Sequence, residues 1–210
     1  MKTITALTAQ QKNKKRVNLF LDGEYFCSLD AFTVLSERLK VGVEVDEKRL
    51  AELSFKSEYS SALEKALGYI SKSMHTKMQI ITYLKGKDYS GKVIAAVIDK
   101  LTEYGYVDDE AFARNYFKDK SSAYGAHKII FDLKTKGVDE KTARSVAEEF
   151  SDDAEPCKRV AEKYLKGKPL DYPAKQKCYR YLASKGFDFD TINRTLDALG
   201  AGENDEDNYS

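Results

Sequence analysis

Displaced by 49 residues, the sequence falls on itself twice. Leu84 lands on Leu133 and then on Leu182. The same register brings together Lys87, Lys136 and Lys185, then Tyr89, Val138 and Phe187, then Ser90, Asp139 and Asp188. Downstream, Ile94, Ala143 and Ile192 coincide, as do Ile98, Ala147 and Leu196, and Leu101, Phe150 and Leu199. Upstream, Ala62, Ala111 and Val160 coincide, with Leu67, Tyr116 and Leu165 five positions on, and Ile81, Ile130 and Tyr179 fill the middle. A period of this length marks stacked supersecondary units, each too small to bury its apolar face alone. The alignment runs through all three copies without a register slip.

Each unit reads as three short helices. In the last helix of the first unit, Ile94, Val97, Ile98 and Leu101 follow the i, i+3, i+4, i+7 spacing of one helical face. Ser90, Asp139 and Asp188 are residue types that accept the orphan N–H groups of a helix start. Gly137 and Gly186 stand two residues earlier, where a helix ends in the left-handed conformation, and Asp88 takes that place in the first copy. Residues 16–29 differ in character: two apolar segments flank Asp22-Gly23, a strong hairpin signal. A lone hairpin is marginal in water and must dock on helices. Asp30 is expected to cap one helix through about Lys40, and Asp46 another through Leu53.

The expected fold is therefore mainly α, with three tandem three-helix repeats preceded by a small β-hairpin plus helices. A basic flexible N-terminus covers 1–15 and a hairpin and helical region 16–56. The repeats occupy 57–107, 108–151 and 152–200, and an acidic tail 201–210.

Only 3 of the 210 residues are proline and 12 glycine, which excludes a collagen-like or low-complexity body. No apolar run approaches the ~18 residues that cross a bilayer, and the start lacks a secretory stretch. Cys27, Cys157 and Cys178 form neither a C-x-x-C nor a zinc cluster with His75 and His127. A soluble cytoplasmic monomer with reduced thiols and no membrane partner is expected. Gly86-Lys87 and Gly91-Lys92 lie outside any G-x-x-x-x-G-K-[ST] pattern, and no G-x-S-x-G elbow occurs. Asp108-Asp109-Glu110 could in principle hold a hard cation. The three acids open a helix, however, where they cap N–H groups and point in different directions. No catalytic, cofactor or metal site is expected, and the chain is not read as an enzyme.

The net charge of +1 conceals segregation. Lys2, Lys12, Lys14, Lys15 and Arg16 face no acid over 1–16, while Glu203, Asp205, Glu206 and Asp207 crowd 201–210. The middle helices carry Lys77, Lys85 and Lys87 against Asp88, then Lys128, Lys134 and Lys136 against Asp132, then Lys175, Lys177, Arg180 and Lys185 against none. The third helices total −4. One basic and one acidic ridge are expected, the basic one suited to a phosphate backbone or an acidic protein groove. Lys128 and Lys177 are repeat equivalents, so the ridge would meet a target that also repeats. Among them lie Tyr104, Tyr106, Tyr116, Tyr124, Tyr179 and Tyr181, which could stack on bases but are read chiefly as packed rings with wet hydroxyls.

The link Tyr104-Gly105-Tyr106-Val107-Asp108-Asp109-Glu110-Ala111-Phe112-Ala113-Arg114-Asn115-Tyr116, with Gly125-Ala126-His127-Lys128-Ile129-Ile130 and Asp132-Leu133-Lys134-Thr135-Lys136-Gly137-Val138, closely resembles the RecX family of RecA regulators. The resemblance covers the array, most strongly residues 80–150, and extends to the hairpin region. It implies an elongated, non-enzymatic protein lying along the groove of the RecA–DNA filament, altering ATP hydrolysis and strand exchange, commonly by inhibition. The expected contacts are the basic ridge, Arg114 and the Lys12–Arg16 segment. Two rivals are a free-standing, sequence-independent DNA-binding module acting by competition for DNA, and a metal-dependent nuclease on Asp108, Asp109 and Glu110.

Overall fold

Asp22 and Gly23 both have positive φ (49° and 91°), forming a two-residue loop whose twist matches the strands on either side. They join strand β2 (Arg16–Leu21) to β3 (Glu24–Asp30), with Leu21 opposite Glu24. A computed structural model of the chain describes residues 1–11, 14–150 and 152–206, with side chains of the last helix described through Gly200. The hairpin is not alone. Residues Lys2–Ala9, expected in a flexible arm, form β1, and Glu44–Val45 form β4, in an antiparallel sheet of order β3-β2-β1-β4. The cations that suggested a solvated arm mostly follow this strand. Within it, Ile4 is fully buried opposite Leu21, and three threonines supply β-branched side chains.

Helices α1 (Ala31–Ser36) and α2 (Glu47–Ile70) close this core, where Ile4, Leu19, Leu29 and Leu50 are almost wholly buried. Asp30 caps α1, accepting from the Thr33 N–H (2.8 Å) and hydroxyl (2.6 Å). The helix stops well short of Lys40. Arg38 takes a left-handed φ of 51°, the Leu39 N–H donates to the Val34 carbonyl, and Leu39 folds back onto the core. Asp46 caps α2 as expected, but α2 runs 24 residues through the anticipated break near residue 56. No proline or left-handed residue interrupts it there.

The remaining helices are α3 (Lys77–Lys85), α4 (Gly91–Glu103), α5 (Asp109–Lys120), α6 (Ala126–Thr135), α7 (Glu140–Glu148), α8 (Ala154–Leu165), α9 (Tyr172–Ser184) and α10 (Phe189–Glu206). The chain divides into two units: Met1–Ser73 with Ile80–Tyr106, and Met74–Gln79 with the residues from Val107 on.

In the middle helices α3, α6 and α9 the period holds residue for residue. Ile80, Ile129 and Cys178 are buried at one position, and Leu84, Leu133 and Leu182 at the next turn. Each helix ends alike. Asp88, Gly137 and Gly186 have φ of 62°, 88° and 86°, and the N–H groups of Tyr89, Val138 and Phe187 donate to the three leucine carbonyls. Asp139 and Asp188 then cap α7 and α10. Ser90 makes no such cap bond; its N–H and hydroxyl donate to Glu58 instead.

The first helices break the register. Their buried pairs are Ala62/Ala66, Ala113/Phe117 and Ala161/Leu165, so successive offsets are 51 and 48 rather than 49, and Leu67 is 39% exposed. The middle helices keep the period, so the loops on both sides of the first helices take up the difference.

What is tied, within the second unit, is the way successive segments of the repeat meet. The Thr76 hydroxyl donates to the Lys136 carbonyl (2.6 Å) and the Lys77 N–H to Asp109 (2.9 Å). One repeat later, the Gly125 N–H donates to the Lys185 carbonyl (3.0 Å) and the Ala126 N–H to Asp153 (3.0 Å). Each middle helix thus starts against the end of the next one. A Cβ on Gly186 would sit 2.4 Å from the Lys128 nitrogen, and one on Gly125 would sit 2.3 Å from the Gly186 oxygen, so only glycine permits this approach.

Candidate functional site

A lysine at the end of each middle helix lies against a tyrosine ring. The Lys87 ammonium is 5.7 Å from the Tyr83 centroid, Lys136 is 5.4 Å from Tyr116, and Lys185 is 5.3 Å from Tyr181 and 4.9 Å from Tyr124. Tyr83 stacks on Tyr69 at 4.2 Å and Tyr181 on Tyr164 at 4.5 Å. The register gives Tyr83, Asp132 and Tyr181 as equivalents, so the second repeat presents a carboxylate where its neighbours present a ring. Burial and then the nearby Asp132 carboxylate push the Tyr116 phenol up. These rings therefore pack and orient cations, as helical tyrosines usually do.

That exchange is one of those that separate the two basic helices of the second unit. On α6, Lys128 pairs with Asp132 (2.6 Å), which raises the lysine pKa, and Lys134 pairs with Glu140 of α7. Glu140 is held below the usual carboxylate range by Lys134 and then Arg144. Arg114 is engaged too: Glu149 (2.9 Å) and then Glu110 raise its pKa, tying α5 to α7. The basic and acidic ridges of this repeat thus meet and neutralise each other. On α9, Lys177 and Arg180 are exposed, and no carboxylate among the described residues pairs with either. Lys175 lies against the backbone of Gly200. Asp171 caps α9 and Pro173 occupies its first turn, so the helix starts without an acid in that turn.

In the first unit, Lys85 is exposed in the last turn of α3, and Lys14 is exposed before β2. The Lys15 carbonyl accepts from Ala31, while Lys12 lies outside the described residues. Arg16 donates to the Ser28 hydroxyl (3.1 Å) and carbonyl (2.9 Å) and, with Lys65 and Lys87, lines a cleft of about 600 Å³ that also holds Glu58 and Asp88.

Asp108, Asp109 and Glu110 each turn to a different partner. Asp108 caps α5, Asp109 accepts from Lys77, and Glu110 pairs with Arg114. The capping reading of Asp108 holds. Among the described residues no group of three His, Cys, Asp or Glu is placed to hold a metal ion. All three cysteines are free and buried, and burial pushes their thiols up, Cys178 to about 11. Cys178 fills the position of Ile80 and Ile129, which makes it a core side chain.

Sequence reasoning missed Arg159 and Lys163. They lie outside the basic middle helices, yet they sit one turn apart on α8 and share a recess with Lys185. The i, i+4 spacing was visible; the neighbour on α9 was not.

The sequence and the fold have relatives. Residues 2–46 match the regulatory protein RecX N-terminal domain, and 62–101, 108–146 and 151–196 match the first, second and third RecX three-helix domains. The regulatory protein RecX of Bacillus subtilis is 34% identical, the match covering 99% of this chain and 80% of the relative. That of Clostridium beijerinckii is 32% identical over 98% of this chain and the whole of the relative. A crystal structure of a regulatory protein RecX superposes with a TM-score of 0.66 at 27% identity, covering 94% of this chain and all of the other. A second, from Lactobacillus salivarius, gives 0.65 at 25% identity over 69% and 97% of the two chains. No helix among the described residues is long and apolar enough to cross a membrane. The chain belongs to the RecX family of regulatory proteins.

Proposed function

We propose that this protein binds the RecA–DNA filament and lowers its ATPase and strand-exchange activity, acting by binding and not by catalysis. The family supports a regulatory role. The observation that carries the reading is the open cationic face of α9, where Lys177 and Arg180 meet no described carboxylate. Within the second unit the recurrence of a lysine seated on tyrosine, at Lys136 and Lys185, supports contact with a target that itself repeats. Such a protein changes the filament only through a difference in affinity between filament states.

Titrating the protein into preformed RecA filaments on saturating single-stranded DNA tests this. The ATPase rate is expected to fall at doses too low to coat the DNA. A rate that changes only once free DNA is covered would replace this reading with the rival one, in which a sequence-independent DNA binder competes for the strand. The unpaired cations favour phosphate contact in either case, and bare-strand affinity should fall steeply with salt in the rival case.

A further inference from the structure

The recess between α8 and α9 in the second unit is a concave site lined by charge of one sign. It has a volume of about 640 Å³ and is lined by Arg159, Val160, Lys163 and Tyr164 from α8, by Tyr181 and Lys185 from α9, and by Ser122 and Ala123 after α5. Three cations line it and no carboxylate does, in contrast to the cleft of the first unit, which mixes Arg16, Lys65 and Lys87 with Glu58 and Asp88.

Its cations are also poised. Lys185 is held between the rings of Tyr124 (4.9 Å) and Tyr181 (5.3 Å), which fix the ammonium without supplying a counter-ion. The back wall is the Tyr164–Tyr181 stack, with Lys168 lying 3.9 Å over Tyr164. Arg159 and Lys163 are exposed on α8, and no described carboxylate pairs with them. A guanidinium fork beside two ammonium groups and two phenol hydroxyls is a donor set for phosphate oxygens. None of the lining residues is Asn, Gln, Asp or Glu, so adenine and cytosine edges meet no matched side chain there, and the three cations are left to phosphate oxygens that every nucleotide carries.

We propose that this recess seats the phosphate backbone of a single nucleic-acid strand, independent of base sequence. The inference deepens the filament reading, on which it rests for biological context, by assigning direct strand contact to Arg159, Lys163 and Lys185. The stacked tyrosines serve as a rigid wall and not as a platform for bases, since their faces are already engaged by each other and by lysines.

The test is the affinity of fluorescently labelled oligothymidylate and oligodeoxyadenylate for the full chain, measured by anisotropy across a salt series. Arg159→Glu/Lys163→Glu is compared with wild type, and Lys185→Gln serves as a milder variant. Both should keep wild-type helical circular dichroism, because the changed side chains are not core residues. The double variant is expected to lose roughly tenfold or more in affinity for both strands, and its salt slope should flatten by about 1.4, the value for two phosphate contacts on a single strand. Unchanged affinity in both variants would overturn the site. So would polyglutamate displacing the strands as well as an unlabelled oligonucleotide does, since the recess would then be a seat for acidic protein. The filament ATPase titration on the same variants separates the two ideas: strand affinity reports on the recess alone, whatever the filament does.

Discussion

The middle helices of the second and third repeats share a backbone plan and part company in electrostatics. α6 and α9 bury Ile129 and Cys178 at one position, Leu133 and Leu182 at the next, and end on Gly137 and Gly186. Yet Lys128 is paired with Asp132, while its equivalent Lys177 is unpaired among the described residues because the equivalent of Asp132 is Tyr181. The period preserves what stacking requires: core volumes, caps and the left-handed turn. Positions facing solvent are free to diverge: Asp132 gives way to Tyr181, Phe131 to Arg180 and Glu140 to Phe189, and the paired face of α6 becomes the open face of α9. Repeated architecture therefore does not imply repeated binding.

The comparison can be broken at its shared part. Gly186→Ala forces a Cβ into a left-handed residue and into the Lys128 backbone, so it should cost about 2–3 kcal/mol in urea unfolding. Gly68→Ala makes the control: it lies inside α2 with nothing within 4 Å of the new Cβ, and should gain about 0.5–1 kcal/mol. A Gly186→Ala variant as stable as wild type would mean the close junction is not what sets the repeat spacing.

The divergent part can be sharpened by exchange. Asp132→Tyr should release Lys128 and make α6 resemble α9, raising strand affinity roughly twofold to threefold through one additional free cation. Titration by anisotropy at low salt would show it; no gain would mean Lys128 finds another counter-ion.

A smaller effect distinguishes the two aspartates at the junctions. Burial works against ionised Asp188, but hydrogen bonds from the Thr191 hydroxyl and N–H outweigh it and hold the carboxyl below its ordinary value. Its contribution to stability is present above the unfolded aspartate pKa and is lost as pH falls through the lowered value. Asp188→Ala should cost about 1 kcal/mol at neutral pH and less in acid. Burial raises the Asp153 carboxyl instead, although the Ala126 N–H lowers it in part. The stability tied to its proton is present below the unfolded pKa and lost as pH rises through the folded one. Asp153→Asn keeps an oxygen for Ala126 and removes the buried charge, so it should stabilise the protein at neutral pH. Urea midpoints across pH 3–7 check both signs.

The readings that survived were those carried by backbone chemistry. Asp22-Gly23 had to turn, Gly137 and Gly186 had to end helices, and Asp139 and Asp188 had to cap them, because few residues meet those demands. Strand β1 was hidden by the cations following it, and α2 ran on because no residue near 56 stops a helix. The first-helix register slipped because the loops on both sides of those helices differ by one or two residues while the middle helices keep the period. Charge was the least legible. Summing by helix separated a basic from an acidic ridge, but it could not show that Lys134 reaches Glu140, that Arg114 bridges Glu110 and Glu149, or that Arg159 and Lys163 converge on Lys185. Those are facts of which turns face each other across helices.

The most direct test of the proposed role sets the two helices against each other in one assay. Lys128→Glu/Lys134→Glu and Lys177→Glu/Arg180→Glu are titrated separately into preformed RecA filaments on saturating single-stranded DNA while ATP hydrolysis is followed. If the open face of α9 carries the interaction, its variant should need roughly tenfold more protein than wild type for the same inhibition, about 1.4 kcal/mol of binding, while the α6 variant stays within about threefold of wild type, less than 1 kcal/mol. Equal losses in the two variants, or none in either, would contradict the account.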